Sequence, residues 1–442
     1  MNKKMDNLSR RKFVKNSSIV TGGIFLAPSV ISATPLFKKE KMLKLAVVGC
    51  GGRGTGAVSQ ALKADENVKL VAMADAFQDR LDDSFNNLSK MFDDKRIDVK
   101  ASNKFVGFGS YKKAIDEADV VILATPPGFR PQHFEYAIEQ GKHVFMEKPV
   151  ATDVPGIKKV LATARKADEK NLNVVVGLQR HYQLNYQQTF KRIQEGEIGK
   201  ILSGQVYWDS AGVWVRPRQE NWTEMEYQMR NWYYFNWLCG DHILEQHIHN
   251  IDVANWFIGE YPISAQGMGG REVRNGIDHG NIFDHHFVEF VYPGGAIISS
   301  QCRHQKGCMS RVSESFQGTL GNSYTDAGNK AILNSYSTGV LYKHNGEDDK
   351  NPYQVEHNKL FASIRSGGHI NDAENGAKST MTAILGRMAT YTGKQISWEE
   401  AMNSEQVLVP IEDGLTWDSI PPVLPDAEGK YIIPVPGVTT LT

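Results

Sequence analysis

The pattern of hydrophobic and polar positions changes near residue 179 of the 442-residue chain. Before that point, short apolar runs alternate with longer segments in which apolar residues recur every three or four positions. This pattern predicts strands alternating with helices, and therefore parallel strands joined by crossover helices in a doubly wound α/β sheet. The strands are expected at 42–48, 68–74, 120–124, 143–146 and 174–177.

After residue 179 the pattern becomes that of an α+β domain. Apolar and polar residues alternate with a period of two at 201–208, 283–292, 296–303 and 312–318. Such segments predict a mainly antiparallel sheet with one buried face, covered by helices such as those expected at 354–366 and 372–391. We therefore expect two domains, at 42–178 and 179–442.

The N-terminus carries a targeting pattern. The twin arginine Arg10-Arg11 precedes an apolar stretch at 18–33 that is too short and too rich in glycine to span a bilayer. This combination predicts a twin-arginine export signal at 1–33, a linker at 34–41 and a periplasmic location, with no stable membrane span after cleavage. A cytoplasmic protein with a chance arginine pair remains the alternative.

Composition and charge exclude several classes of partner. Lysine and arginine number 50, as do aspartate and glutamate, so no global field attracts nucleic acid. The four cysteines are too sparse and irregularly spaced for a disulfide framework.

A glycine-rich loop follows the first predicted strand, with the sequence Gly49-Cys50-Gly51-Gly52-Arg53-Gly54. Three of its glycines form the G-x-G-x-x-G fingerprint of a Rossmann dinucleotide-binding domain, in which the pyrophosphate lies at a helix N-terminus. Asp75 ends the next strand, where an acid accepts the ribose hydroxyls and repels a 2′-phosphate. We therefore expect NAD, with NADP less favoured.

Two further strand ends carry polar residues. Thr125 and Pro126 follow one strand, with His133 on the next helix, and Glu147-Lys148-Pro149 follows another. Ligands bind at such strand ends in a doubly wound sheet. A lysine held there beside a nicotinamide could hydrogen-bond a substrate hydroxyl, although a surface lysine before a proline turn is equally compatible with the pattern.

These motifs together resemble the glucose–fructose oxidoreductase, inositol dehydrogenase and MocA (Gfo/Idh/MocA) family. The glycine fingerprint, the Ala-Thr-Pro-Pro segment at 124–127 and the Gly-Lys-His-Val-Phe-Met-Glu-Lys-Pro segment at 141–149 carry the resemblance. It implies a Rossmann domain and a second domain with a large open sheet, often used for homo-oligomer contacts. The implied chemistry is hydride transfer between NAD and a sugar or related polyol.

The resemblance also implies roles for single residues. Lys148 would contact the reacting hydroxyl and the cofactor, and Glu147 the nicotinamide side. Thr125, Pro126 and His133 would line the cofactor cleft, and Gln179 would touch the nicotinamide end.

The segment 241–252 reads Asp-His-Ile-Leu-Glu-Gln-His-Ile-His-Asn-Ile-Asp. Glu245 and His249 match the acid–histidine pair that the family carries in its second domain, with His249 as general base and Glu245 orienting it or binding a hydroxyl. At about 100° per residue one helix face would carry a dense polar set: His242, Glu245, Gln246, His249 and Asp252. A divalent-ion site with His242 and a purely structural role both remain open. His247, where the family has a glycine, could narrow the pocket.

Candidate substrate contacts lie in two segments. The aromatic-rich loop at 211–234 contains Trp214 and Arg216, which suit a carbohydrate ligand because aromatic rings stack on sugar faces and arginines bind hydroxyls. Arg180 and Tyr182 follow Gln179 and are further candidates. An interface or core cluster is the competing interpretation of these aromatics.

The export signal adds an expectation about the cofactor. An exported enzyme lacks a supply of free NAD, so we expect NAD to stay tightly bound and to be recycled internally. The net reaction stays open between a sugar oxidation–reduction, an epimerisation, and a glycosidase or lyase reaction by oxidation, elimination and re-reduction. A non-catalytic sugar-binding module with structural NAD is a further alternative.

Overall fold

The structure is a computed structural model that describes residues 41–409 and 414–440. The predicted export signal and all of the linker but residue 41 lie outside these residues. Among the described residues no helix is long and apolar enough to cross a membrane.

The first sheet has six parallel strands in the order β3-β2-β1-β4-β5-β6. This order is that of a dinucleotide-binding Rossmann domain, so the prediction from the apolar runs is confirmed. The strands are β1 (Leu43–Val48), β2 (Val68–Asp75), β3 (Lys104–Val106), β4 (Val120–Leu123), β5 (His143–Met146) and β6 (Val174–Val176).

Five helices connect these strands and bury their apolar sides on the sheet. Because the sheet is covered on both faces, its strands are almost continuously apolar and buried, as at Val120–Leu123. The helices are α1 (Gly52–Ala64), α2 (Gln78–Met91), α3 (Ser110–Asp116), α4 (Arg130–Glu139) and α5 (Val154–Glu169).

The second sheet has nine strands in the order β14-β13-β12-β11-β7-β10-β9-β8-β15. All pairs are antiparallel except β7 with β10, which confirms the expected mainly antiparallel sheet. The strands are β7 (Ile201–Ser210), β8 (Ser264–Gly270), β9 (His285–Val291), β10 (Ile297–His304), β11 (Arg311–Gly318), β12 (Gly321–Asp326), β13 (Ala331–Ser335), β14 (Gly339–Lys343) and β15 (Ile396–Ser397).

After the Rossmann domain, the described part of the chain contains eight further α-helices. α10 and α12 pack on its buried face, where Ile251 and Ile384 share a core with Val288 and Phe316 of the strands. The helices are α6 (Leu184–Gln194), α7 (Glu224–Arg230), α8 (Asn236–Cys239), α9 (His242–Glu245), α10 (Ile248–Ile258), α11 (Pro352–Ser366), α12 (Ala373–Thr392) and α13 (Trp398–Met402).

The structure differs from the sequence prediction at residues 241–252, which do not form one helix. The chain turns between α9 and α10, at Gln246 and His247. Asp241 begins α9 with a positive φ of 78° and caps it by accepting a hydrogen bond from the His242 backbone. The polar side chains of this segment therefore point in several directions rather than along one face.

Two late segments return to the Rossmann domain. Leu360 and Phe361 of α11 join the core formed by β1, β2 and α1. Trp417, in the C-terminal segment 414–440, contacts Phe77 and Phe108, whose ring centroids each lie 4.7 Å from its own. The two sheets are thus separated between the end of β6 at Val176 and the start of β7 at Ile201, and part of the later chain packs on the Rossmann domain.

Candidate active site

A cavity of about 620 Å³ lies at the carboxyl ends of the Rossmann strands and extends to the second domain. The glycine loop after β1, Asp75 at the end of β2 and Lys148 after β5 line one side. Glu245 of α9 and His249 of α10 line it from the second domain. The cavity thus collects residues from both domains around one volume.

The glycine loop has the geometry that a dinucleotide site requires. Gly49 has a φ of +96°, and a Cβ atom on Gly54 would lie only 1.9 Å from the Gly49 carbonyl oxygen, so both positions need glycine. A Cβ atom on Gly51 or Gly52 would meet nothing within 4 Å. The loop is therefore closely packed on its protein side and open where a pyrophosphate would approach α1.

Asp75 is held by the backbone at the edge of the cavity. Its carboxylate accepts hydrogen bonds from the Cys50 nitrogen at 2.6 Å and the Phe77 nitrogen at 2.9 Å. Burial raises the pKa of the Asp75 carboxyl, while these two donors act in the opposite direction. The carboxylate therefore ties the glycine loop to the end of β2 as well as lining the cavity.

Arg130, at the start of α4, fixes two strand ends. Its guanidinium donates to the carbonyl oxygens of Leu123 at 2.7 Å and Glu147 at 2.8 Å, and also to that of Thr125. Thr125 Oγ1 lies 3.1 Å from His133 Nδ1, and burial together with Arg130 lowers the pKa of His133 to about 3. His133 is therefore a neutral imidazole on the cavity wall.

Lys148 joins the two domains. Its Nζ donates to the Glu245 carbonyl oxygen at 2.5 Å and lies 3.2 Å from Glu245 Oε1. Burial raises the pKa of the Glu245 carboxyl, an effect that the Lys148 ammonium opposes. Glu245 therefore holds Lys148, and its expected role of orienting His249 or binding a hydroxyl stays a prediction.

His249 lies on α10, almost fully buried, and its ring stacks on Trp208 with centroids 5.9 Å apart. Burial lowers the pKa of His249 well below its usual value, and the positive charges of Lys148 and Arg180 add to this effect. Its Nδ1 makes no hydrogen bond within the described chain. The side chain is thus a neutral imidazole whose Nδ1 is available to a ligand in the cavity.

The residues present fit NAD. The open face of Gly51 and Gly52 suits the pyrophosphate, and Asp75 lies where ribose hydroxyls would donate hydrogen bonds to its carboxylate. Gln179 lines the opposite end of the cavity, and its buried Oε1 has no partner among the residues the structure describes. That unpartnered acceptor matches the donor group of a nicotinamide carboxamide.

Comparison with known proteins identifies the family. Residues 43–176 match the model of the oxidoreductase family with an NAD-binding Rossmann fold, and residues 186–321 match the GFO/IDH/MocA C-terminal domain. The chain belongs to the Gfo/Idh/MocA oxidoreductase family. Its first domain is an NAD-binding Rossmann domain, which confirms the expected cofactor.

Curated relatives of this Gfo/Idh/MocA chain include enzymes of sugar metabolism. It is 24% identical over 261 residues to the 2,7-anhydro-N-acetylneuraminate hydratase of Escherichia coli. The aligned region covers 58% of this chain and 61% of the relative. It is 26% identical over 222 residues to an alpha-N-acetylgalactosaminidase of Shewanella oneidensis, covering 46% of each. The chain therefore spans between about half and three fifths of the length of these relatives.

Solved structures of sugar oxidoreductases share the fold. The aldose–aldose oxidoreductase of Caulobacter crescentus superposes with a TM-score of 0.64 at 17% identity, over 81% of this chain and all of the other. A levoglucosan dehydrogenase solved with NADH and levoglucosan superposes with a TM-score of 0.63 at 16% identity, over 80% and 99% of the two chains.

Most of the residues predicted from sequence line the same cavity of this Gfo/Idh/MocA protein. Within it, Glu147 pairs with Arg53 of the glycine loop, and the Arg216 guanidinium lies 5.2 Å from the Trp214 ring. The lining includes the following predicted residues: Gly49, Gly51, Gly52, Arg53, Gly54, Asp75, Thr125, Pro126, His133, Glu147, Lys148, Gln179, Trp214, Arg216, Glu245 and His249.

Two predicted substrate residues lie elsewhere. Arg180 is buried in an ion pair with Glu314 of β11, and Tyr182 donates to Asp372 at 2.7 Å. Neither lines the cavity, so the structure corrects their assignment as substrate contacts. Their nearness to Gln179 in sequence was misleading, because the side chains of both residues bind other parts of the protein instead of facing the cavity.

His242 and His247 also point away from the cavity. The His242 ring bonds Asp241 at 2.8 Å, and these two residues with His286 form the one buried group of potential metal ligands among the described residues. The Asp241 carboxylate already accepts from His242, Phe283 and Tyr391. His247 is fully buried and lies 2.7 Å from Ser300 Oγ, so it does not narrow the pocket.

Sequence reasoning missed several cavity residues. Gln246 was predicted only as part of a polar helix face and received no substrate role, and Phe77, Phe108 and Tyr353 come from three separate loops and helices. Only Gln246 carried a usable signal, because its spacing places it beside Glu245 and His249. The aromatic residues could not be found without the tertiary structure.

Proposed function

We propose that this Gfo/Idh/MocA protein oxidises a hydroxyl group of a sugar or glycoside by hydride transfer to tightly bound NAD. The observation that carries the proposal is the meeting of Lys148, Glu245 and His249 in the cavity that also contains the glycine loop. NAD bound there would accept a hydride from the carbinol carbon and could return it.

Three side chains account for the proton and the orientation of the substrate. Lys148 presents an ammonium whose position is fixed by Glu245, and it donates a hydrogen bond to the reacting oxygen. His249 is neutral and accepts the hydroxyl proton as the carbon–oxygen bond gains double-bond character. Burial of both groups strengthens these interactions because little water competes for them.

The cavity wall suits a carbohydrate. Trp208, Trp214 and Trp232 line it, and aromatic rings bury the apolar faces of sugar rings. Arg216 offers donors to sugar oxygens beside them. The sugar oxidoreductases with the same fold agree with this choice of substrate class.

A second candidate is a redox-neutral reaction of the same site. Oxidation near a glycosidic bond makes the C–H beside the new carbonyl acidic, so that loss of this proton and of the aglycone alcohol can follow. Water then adds to the carbon–carbon double bond, and return of the hydride to the carbonyl restores the oxidation state. The relatives named as a glycosidase and a hydratase support this possibility. A purified protein that cleaves a glycoside without consuming added NAD would establish it.

Export and assembly complete the proposal. The twin arginine at Arg10-Arg11 supports export of a folded, NAD-loaded protein to the periplasm.

Leu202, Met268 and Ile297 are exposed on the second sheet, which supports a homo-oligomer formed through that sheet. The mass of the purified protein in solution, compared with a Met268→Lys variant, tests the oligomer.

The proposed oxidation is tested with a panel of methyl glycosides of glucose, galactose and their 2-acetamido forms. We expect the absorbance of bound NADH to appear after mixing with at least one of them. Lys148→Ala should abolish this signal, whereas Lys158→Ala, on the exposed side of α5, should leave it unchanged. Binding of a glycoside with no reduction in the native protein would favour the sugar-binding module.

A further inference from the structure

Gln246 lies on the cavity wall with no role in the proton and hydride chemistry. It occupies the turn between α9 and α10, so it stands between Glu245 and His249 in sequence and shares their cavity. Which end of its amide faces the cavity decides whether it offers a hydrogen-bond donor or an acceptor to a ligand.

The neighbouring Arg274 fixes the tautomer of His304. Arg274 is 4% exposed, and its guanidinium donates to the Phe283 carbonyl oxygen at 2.6 Å. Its Nη2 lies 2.5 Å from His304 Nδ1. Because a guanidinium can only donate, His304 Nδ1 must be the acceptor and carry no proton. The ring proton of His304 is therefore on Nε2.

This tautomer fixes the amide of Gln246. His304 Nε2 lies 2.7 Å from Gln246 Oε1, so the N–H of the ring donates to the amide oxygen. A second proton on His304 would face the Arg274 donor, and burial together with His242 and Arg274 lowers the pKa of the ring. The amide oxygen is thereby occupied, which leaves the NH₂ group as the end of the Gln246 amide that is available to the cavity.

We propose that Gln246 is a specificity-determining residue that donates a hydrogen bond from its NH₂ group to an oxygen substituent of the sugar, with Arg274 and His304 as positioning residues. The inference rests on the proposed function. Its position beside Glu245 and His249 assigns the recognised oxygen to the region next to the reacting hydroxyl. A ligand with an apolar group at that place would leave a buried donor unpaired and bind more weakly.

The tautomer of His304 can be measured without any substrate. Nitrogen-15 NMR of histidine-labelled, NAD-loaded protein distinguishes the two ring nitrogens, and comparison with His304→Gln assigns the signal. We expect an unprotonated Nδ1 and a protonated Nε2 at neutral pH. A protonated Nδ1, or an imidazolium, would overturn the orientation of Gln246 and with it the proposal.

The binding role is tested with the glycoside of the panel that binds best and its monodeoxy derivatives. In the native protein one deoxy derivative should bind roughly three to ten times more weakly than its parent. Gln246→Met should remove this difference for that derivative alone, with a higher KM and little change in kcat. Gln205→Met, on the second sheet, is the control and should keep the difference.

The outcomes separate this inference from the proposed function. If Gln246→Met leaves the discrimination between parent and deoxy sugar intact while the protein still reduces its NAD, Gln246 is not the donor and only the present inference fails. If no glycoside of the panel binds, both fail together.

Discussion

Lys148 and Glu245 are 97 positions apart in sequence and are joined by a hydrogen bond in the structure. Each could be selected from its local motif, since one follows a Rossmann strand and the other begins an acid–histidine pair. Their contact could not be predicted from spacing, because it depends on how the two domains meet. The same contact gives Glu245 a role, holding Lys148, that differs from the one expected from sequence.

His249 sets the pH dependence expected for the reaction. A base must be unprotonated, and the lowered pKa of His249 keeps it so when the pH falls below the ordinary histidine value of about 6.5. The acid limb of kcat/KM should therefore lie below about pH 6.5. His249→Gln should lower kcat by about 10² to 10⁴-fold.

The control for this prediction is His369→Gln, which changes a histidine that pairs with Asp168 on the protein surface. It should keep both the rate and the acid limb. An acid limb at or above pH 6.5, or one that His249→Gln leaves in place with an unchanged rate, would contradict a neutral His249 base.

Arg180 provides a second test at the residue scale. Removing its side chain leaves Glu314 buried without its cation, and such losses cost about 3–5 kcal/mol. Arg180→Ala should therefore lower the free energy of unfolding in denaturant titrations, while the folded fraction keeps the KM of the native protein. A raised KM with unchanged stability would restore the substrate role that sequence proximity had suggested.

At the scale of elements, the Rossmann domain could be predicted from the sequence except for the short strand β3 and the helix α3 that follows it. Buried parallel strands such as β4 and β5 are short apolar runs, and the glycine loop identifies the first of the strands. The second sheet was predicted only in part, because β8 contains three glycines and β12 is polar. Such strands owe their conformation to their neighbours rather than to their own propensity.

The helix α11 offers a prediction about stability. His357 on this helix is fully buried against Phe145, neither ring nitrogen has a partner among the described residues, and burial lowers its pKa to about 3. Because the unfolded chain binds a proton near pH 6.5 and the folded chain does not, His357 destabilises the fold increasingly as the pH falls below that value.

The variant His357→Phe should therefore be more stable than the native protein, and increasingly so in acid. The difference in unfolding free energy should grow by about 2 kcal/mol between pH 6.5 and pH 5. Chemical denaturation at several pH values measures it. Two stability curves that run parallel over this range would show that His357 takes up a proton in the folded state.

The C-terminal segment offers a prediction about cofactor retention. Trp417 packs on Phe77 and Phe108, which line the cavity at the Rossmann end, and Thr223 Oγ1 donates to the Trp417 carbonyl oxygen at 2.6 Å. We expect the segment to slow the release of NAD. Trp417→Ala should increase the dissociation rate of NAD roughly tenfold, a loss typical of one aromatic contact.

The matched control is Trp398→Ala, which removes a tryptophan that packs near Tyr261 and does not line the cavity. Transfer of NAD to an excess of a scavenging dehydrogenase measures release. Equal NAD release rates for the native protein and Trp417→Ala would show that the C-terminal segment does not contribute to tight binding of NAD.

At the scale of the whole molecule, residues of both domains form the site. The Rossmann domain supplies the cofactor cradle and Lys148, and the second domain supplies Glu245, His249 and the tryptophans. Sequence motifs predicted the cofactor and the reaction class because these depend on short segments with fixed geometry. The sugar is not encoded in such a segment, since the cavity wall is assembled from loops that are distant in sequence.

The central claim is that a hydride passes from a sugar carbon to NAD held beside Lys148. The most direct measurement uses the glycoside that reduces bound NAD, deuterated at the ring carbons, followed by mass spectrometry of the extracted cofactor. The account predicts deuterium in the NADH of the native protein and none with Lys148→Ala. An NADH without deuterium, or equal labelling in both proteins, would contradict it.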